Sequence, residues 1–519
     1  MFQVFYAGGI QGMNAYKVRV EADVSNGLPG FEMVGSLACE VREAKERVRV
    51  AMKNAGFPLP VARITVNLSP AQIKKEGTGY DLAIATAILA CMGMVKKEGL
   101  DSTAFLGELA LSGEVHKTDG ALPIALQLQK DGIQRLVVPC ANVEECRMVP
   151  GLTVVPMRDM QDLSAFLRTT EEKRKEWEVR GDEVNAGQDR TEFMQANSEQ
   201  NMLDFSQVSG QESMKRAACV AAAGFHHLLF SGPPGAGKTM IAQRIPGILP
   251  PLTREEQLEV MSIYSIAGKP LTKMRPFQAP HHTISPQALA GGGRIPKPGV
   301  LSLAHRGILF LDEMPEFSAN VLEVLRQPLE EKQITISRTS GTAVFPSDFL
   351  LIAACNPCPC GFYGDGTERC QCSAGQIHSY MAKLSGPLMD RIDMHIELSR
   401  IGWEELNPAC ETEDMSLDSK TLREAVCAAR ELQKRRYRDT GISCNAQLQQ
   451  NAVNRYCQIT AEAGALMRNA FARLPLSARS CKKILLLART IADLEGAEKI
   501  QAEQIAEAIQ YRNLDRIRF

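Results

Sequence analysis

From Ser231 to Thr239 the chain reads Ser-Gly-Pro-Pro-Gly-Ala-Gly-Lys-Thr, and no other stretch restricts its fold so sharply. Gly232, Gly237, Lys238 and Thr239 fit G-x-x-x-x-G-K-[ST], a loop that joins a strand to a helix and wraps a row of phosphates. The neighbouring residues suit that geometry. His227-Leu228-Leu229-Phe230 is a short apolar run of buried-strand character, and Met240 to Arg244 can open a helix. Gly232, Gly235 and Gly237, spaced by Pro233, Pro234 and Ala236, let backbone N–H groups turn toward phosphate oxygens at the positive end of that helix. Lys238 then reaches the β- and γ-phosphates, and the Thr239 hydroxyl ligates Mg2+. The competing reading is a glycine-rich turn that matches by chance. The match predicts an α/β domain.

A second stretch favours the first reading. Gly307-Ile308-Leu309-Phe310-Leu311-Asp312-Glu313 is an apolar strand ending in two carboxylates. Asp312 is placed to hold the Mg2+ shell, and Glu313 to orient or deprotonate an attacking water. A solvated strand end is the alternative. Phe349 to Ala354 reads as another buried strand, ending at Asn356, whose amide can hydrogen-bond the attacking water or the γ-phosphate. A turn-forming Asn before Pro357 is compatible with that role. The chain is expected to bind and hydrolyse ATP with Mg2+.

At 519 residues the chain exceeds a single core, and three domains is a fair expectation. With 59 basic against 60 acidic residues no global field draws it to nucleic acid, so any such binding needs a local patch. One candidate exists. Between Glu259 and Asp312 there is no acidic residue, while Lys269, Lys273, Arg275, Arg294, Lys297 and Arg306 fall there with three histidines. Gly291-Gly292-Gly293 and several prolines make much of it loop. It is a candidate surface for phosphates, with a solvated loop as the equal alternative. The start has no basic region or cleavage site of a signal peptide, and Leu82 to Val95 reads as a buried helix, too short to span a bilayer. No membrane association is expected. Fifteen cysteines without an export signal point to reduced thiols in the cytoplasm.

Four of them are grouped: Cys358, Cys360, Cys370 and Cys372 form two C-x-C pairs nine residues apart. Two thiolate pairs facing across a glycine-containing turn suit a tetrahedral structural Zn2+, with free thiols or a redox pair as the alternative.

Residues 1–168 read as an α/β domain without a phosphate loop. Val18–Val24 and Ile64–Leu68 are strands, Arg42–Asn54 an amphipathic helix, Tyr80–Met92 a buried helix and Leu136–Pro139 a late strand. The runs Lys74–Ala90, Phe105–Leu126 and Ile133–Pro139 resemble the Lon-protease-like fold. Where active proteases of that family carry a Ser and a Lys, this chain has Gly79 and Leu122, so the resemblance implies the fold without proteolysis. Residues 169–200 turn polar and read as a linker. Residues 201–400 hold the nucleotide motifs, with Met214–Ala223 a helix and Asn320–Leu329 another. Ile334–Thr339 and Thr342–Phe345 flank Ser340-Gly341 as a β-hairpin carrying Arg338. Residues 415–519 read as helical, with helices at Thr421–Arg438, Glu462–Arg473, Ser477–Leu494 and Ala502–Tyr511.

Taken together, RPFQAPHHTISPQALAGGG, PGVLSLAHRGILFLDEMPEF, NPCPCGFYGD and ARTIADLEG resemble the ComM/YifB family of magnesium-chelatase-like AAA+ ATPases, nearly from end to end. The resemblance implies a Lon-like domain, an AAA+ core with a basic loop insertion and a hairpin, and a helical lid. It implies that the Val208–Gln211 turn lies beside the adenine and that Asn356 is the first sensor. Arg391 resembles an arginine finger acting on a neighbouring subunit's nucleotide, against an ion pair to Asp390 or Asp393 within the chain. Arg479 fits the second sensor, against a plain basic residue in a first helical turn. The family further implies a homo-oligomer, a hexameric ring, that acts on DNA, single-stranded or branched, as a branch-migration helicase in recombination or natural transformation. Arg294, Lys297 and Arg338 are the candidate DNA contacts. The alternatives are the motor of a magnesium-chelatase-like metal-insertion complex or an ATP-dependent protein remodeller.

Overall fold

The computed structural model describes residues 1–180, 203–208, 210–338, 341–364, 369–384, 386–398, 418–474 and 476–512. Ser209 of the expected adenine-side turn, Thr339 and Ser340 of the hairpin, and residues 181–200 of the expected linker lie outside the described residues.

The first sheet has eight strands: β1 (Phe2–Gln11), β2 (Asn14–Ser25), β3 (Gly30–Val34), β4 (Arg63–Ser69), β5 (Thr103–Phe105), β6 (Arg135–Pro139), β7 (Thr153–Met157) and β8 (Val179–Arg180). Their order is β8-β7-β6-β5-β1-β2-β4-β3. Helix α1 (Ala44–Asn54) covers it with α2 (Asp81–Cys91), and every residue of α2 is buried. An apolar helix without a polar face can sit only in such a core. Its one charge, Asp81, is paired with Arg47 at 2.7 and 3.0 Å. Gly79 and Leu122 offer no nucleophile or base. A Cβ on Gly79 would lie 2.9 Å from both Leu106 and Thr118, and Leu122, in α3 (Ala121–Lys130), is wholly buried.

Part of the stretch expected as linker is folded. Glu171–Arg174 is a helical turn and β8 pairs antiparallel with β7. The anchors are guanidinium groups, which apolar periodicity does not reveal. Arg174 is wholly buried and donates to the carbonyls of Phe166 (3.1 Å) and Leu167 (3.2 Å). Arg135 pairs with Glu171 at 2.5 Å and Glu178 at 2.6 Å.

The second sheet is parallel throughout. It contains β9 (Leu228–Ser231), β10 (Phe277–Gln278), β13 (Ile308–Leu311), β16 (Leu350–Cys355) and β17 (Met394–Glu397), in the order β10-β13-β16-β9-β17. Strands buried on both sides read as continuous apolar runs, as Leu228–Phe230, Ile308–Leu311 and Leu350–Ala354 do. Helices α4 (Glu212–Gly224), α5 (Lys238–Ile248) and α6 (Arg254–Ile266) belong to this part. Two small hairpins project from it, β11 (Gly291–Gly292) with β12 (Lys297–Pro298), and β14 (Gln333–Arg338) with β15 (Gly341–Pro346). The helix expected over Asn320–Leu329 is two pieces, Ala319–Val324 and Arg326–Glu331. Pro328, in the second, has no N–H to donate back to Val324 and so favours the break. The basic insertion is less irregular than expected, since α6 and the short helix Pro286–Ala290 occupy part of it.

Among the described residues beyond β17, four helices have nine residues or more: α7 (Ser419–Arg436), α8 (Ala461–Arg473), α9 (Ala478–Leu494) and α10 (Ala502–Gln510). Among the described residues no helix is long and apolar enough to cross a membrane.

The two sheets meet through α6. Ser265 Oγ donates to Glu145 Oε2 at 2.6 Å, and Ser265 O accepts from Gly120 N–H at 3.0 Å. Both side chains are only 5% exposed, and Met261 of α6 joins the apolar cluster of Leu122, Leu128 and Leu136.

His227, just before β9, accepts a hydrogen bond at Nδ1 from Leu351 N–H at 3.1 Å. Burial pushes this imidazole from 6.5 down to about 4. Between those pH values the unfolded chain takes a proton that the folded chain refuses. The contribution is therefore complete above pH 6.5 and lost as pH falls through 4, amounting to roughly 3 kcal/mol. His227→Asn, which retains an acceptor but cannot charge, should flatten the fall in melting temperature over that range. An unchanged slope would remove His227 from the account.

Candidate nucleotide site and thiol cluster

The order of the second sheet decides which residues meet. β16 lies between β9 and β13, so its end at Asn356 falls between the glycine loop after β9 and the carboxylates after β13. Ligands of open parallel sheets bind at these carboxyl ends. Gly235 (φ 79°) and Gly237 (φ 85°) hold the left-handed conformation, and nothing lies within 4 Å of where their Cβ atoms would stand. That leaves the inside of the loop open to a ligand. Gly232 anchors it, its N–H donating to Cys355 O at 3.2 Å.

Lys238 is buried. Its Nζ donates to Gly232 O, to Pro233 O at 3.2 Å and to Asn356 Oδ1 at 2.9 Å. Burial lowers its pKa, an arrangement that adding a polyanion would relieve. Thr239 Oγ1 lies 2.8 Å from Asp312 Oδ2, the adjacency needed for one hydrated Mg2+ to be held by both. Asp312 Oδ1 accepts from Glu313 N–H at 3.0 Å, and Glu313 itself adopts φ 50° with an exposed side chain. Five of the expected residues, Lys238, Thr239, Asp312, Glu313 and Asn356, therefore lie at one edge of one sheet.

Arg391 and Arg479 do not. Arg391 precedes β17, whose Met394 is level with Leu228 at the start of β9. It sits at the opposite end of the strands, roughly 13 Å of strand away from the glycine loop. Arg479 joins it there: both guanidinium groups bond Glu330 Oε1, at 2.7 and 2.8 Å. The arginines hold the Glu330 carboxyl below its ordinary value, Arg479 most strongly. The partner of Arg391 is thus neither Asp390 nor Asp393. Asp393 instead faces Lys483 at 3.0 Å and accepts from His227 N–H. Glu330 is distant in sequence and carries no motif, so residue patterns gave no sign of it.

The thiols of Cys358, Cys360, Cys370 and Cys372 lie within 4.8 Å of one another. The Sγ separations of Cys358–Cys360, Cys358–Cys370 and Cys360–Cys370 are 3.3, 3.8 and 3.7 Å. A tetrahedron with sulfur about 2.3 Å from a central Zn2+ has edges of about 3.8 Å, so these thiols fit that ion. The Phe362 N–H and the neighbouring thiols pull Cys360 down to about 6, while burial and those neighbours push Cys370 up to about 11 and raise Cys372.

Arg294, Lys297 and Arg338 come together on the two hairpins. A Cβ on Gly292 would lie 3.3 Å from the Arg338 guanidinium. Two of the three are engaged across the seam with the first sheet: Arg294 with Glu40 at 2.8 Å and Lys297 with Asp119 at 2.9 Å. These pairs are exposed and worth about 0–1 kcal/mol each, so a polyanion can displace them.

Comparison with known proteins agrees along the length of the chain. The family described as magnesium chelatase, subunit ChlI, matches residues 204–406. Its C-terminal region matches 416–512, and the family described as subunit ChlI of Mg-chelatase matches 20–142. The competence protein ComM of Haemophilus influenzae is 40% identical over 99% of this chain and 98% of its own. YifB of Escherichia coli, an uncharacterised protein, is 38% identical over 98% of this chain and 96% of its own. The magnesium-chelatase 67 kDa subunit of Chlorobaculum parvum is 25% identical over 30% of this chain and 24% of its own.

Proposed function

This chain belongs to the magnesium-chelatase-like family that includes ComM and YifB, and from that membership we propose that it is an AAA+ ATPase that uses ATP to remodel DNA. The observation that carries the ATPase reading is the convergence of Lys238, Asn356, Thr239 and Asp312 through bonds of 2.8–2.9 Å. In this reading the loop Gly232–Gly237 and Lys238 receive the triphosphate, and Thr239 and Asp312 hold Mg2+, which neutralises phosphate charge. Glu313 prepares the water, Asn356 orients it, and the four thiols hold a structural Zn2+.

Arg391 and Arg479 complete the site from the next protomer. Their position at the far end of the strands suits them to a neighbour's nucleotide rather than their own, and Glu330 keeps the pair in register. A ring of such protomers is the arrangement in which each site receives both arginines, and six is the number the family resemblance implies. The DNA reading rests on the competence protein's name and on the shared face of Arg294, Lys297 and Arg338. A ring would direct that face to its pore, where single-stranded or branched DNA passes, as a helicase promoting branch migration requires.

Binding of labelled branched DNA, with a non-hydrolysable ATP analogue present, tests this. Saturable binding is expected, and the double substitution Arg294→Ala, Lys297→Ala should weaken it about tenfold or more and flatten its salt dependence by about two contacts. Wild-type affinity in the double variant would reject the hairpin face. Absence of DNA binding by the wild type would return the choice to a metal-insertion motor or a protein remodeller, the former favoured by the partial likeness to a magnesium-chelatase subunit.

A further inference from the structure

The thiol cluster is not remote from the glycine loop. Asn356, bonded to Lys238, stands two residues before Cys358, whose Sγ is buried and accepts from Tyr363 N–H at 3.3 Å. Cys358 O accepts from Gly361 N–H at 3.0 Å, closing a tight turn. Gly361, at φ 84°, is where this turn meets the loop: a Cβ there would lie 2.7–2.8 Å from the Pro234 ring. Three successive parts of one segment thus hold the loop: Cys355 at Gly232, Asn356 at Lys238 and Gly361 at Pro234.

We propose that a soft divalent cation, Zn2+, bound by Cys358, Cys360, Cys370 and Cys372 sets the nucleotide affinity of this protein by seating the Cys355–Gly361 segment on the phosphate loop. This rests on the nucleotide-site reading above. The cation joins Cys358 and Cys360 to Cys370 and Cys372, and its binding expels the thiol protons. Without it nothing joins the Cys358–Cys360 pair to Cys370 and Cys372, and the turn at Gly361 loses its brace. The amide of Asn356 and the ring of Pro234 then no longer fix Lys238 and the loop for phosphate.

The test uses the full chain, zinc-loaded or stripped by a chelator, with metal content, circular dichroism and titration of a fluorescent ATP analogue as readouts. The loaded protein should hold one zinc per chain. The stripped protein should bind the analogue at least tenfold more weakly, with recovery on adding Zn2+. Cys372→Ser should lose both zinc and affinity. Gly361→Val should keep its zinc yet bind the analogue comparably weakly, and this decides the matter if stripping unfolds the protein. Equal affinity with and without zinc, wild-type affinity in Gly361→Val, or failure of the four thiols to take up Zn2+ would overturn the proposal. If the zinc-loaded wild type binds no analogue at all, the nucleotide-site reading itself falls.

Discussion

Glu313→Gln should lower steady-state ATP turnover by about 10^2–10^4 while ATP still binds. The expectation follows from position. Glu313 follows Asp312 at the end of β13 in a left-handed conformation, and its carboxylate has no hydrogen-bond partner among the described residues. A carboxylate left free at the mouth of a phosphate loop is available to a water; its amide replacement can accept a hydrogen bond but not a proton. Rapid filtration after a single turnover should find uncleaved ATP retained on Glu313→Gln. Lys238→Ala should instead lose the nucleotide, because Nζ is the cation nearest the loop carbonyls. Turnover by Glu313→Gln within threefold of wild type would take the base role from it.

Arg391→Ala should cost about 10^3–10^5 in turnover, the range for an arginine supplied to phosphoryl-transfer charge from a partner. Loss alone would not separate a neighbour's residue from one serving its own site. Mixing does. Arg391→Ala protomers keep their phosphate loop, and Lys238→Ala protomers keep their arginine. If Arg391 serves the adjoining protomer, mixed assemblies should regain activity where the first type receives an arginine from the second. If each chain uses its own arginine, every site in the mixture lacks one element, and activity stays at the level of either variant alone. A silent mixture of co-assembled variants would reject the shared site.

Much of the candidate nucleotide site was legible in residue patterns because its members are local: the glycine loop, the carboxylate pair and Asn356 each lie at the end of an apolar run, and the second sheet brings those ends together. What they did not reveal depends on long-range pairing. Glu330 holds Arg391 and Arg479, Glu40 holds Arg294, and Asp119 holds Lys297, yet no spacing connects these partners. The polar stretch after Thr169 read as linker for a related reason. Its anchors are buried guanidinium groups such as Arg174, which look in sequence like solvated charge. The helix expected over Asn320–Leu329 failed at Leu325, where the Pro328 ring weighed more than the apolar spacing. Strands and long helices were the most legible, since their periodicity reports burial directly.

The bond between Ser265 and Glu145 has a mechanical consequence. Sliding the first sheet away from α6 would break the Ser265–Glu145 bond, leaving Glu145 only its bond from Asn142, at about 1–3 kcal/mol for a group left unpaired. α6 follows α5, the helix that starts on Lys238, after a connection containing Pro250 and Pro251. A tilt of α5 would therefore be passed to the eight-stranded sheet as to an outrigger bolted to a hull.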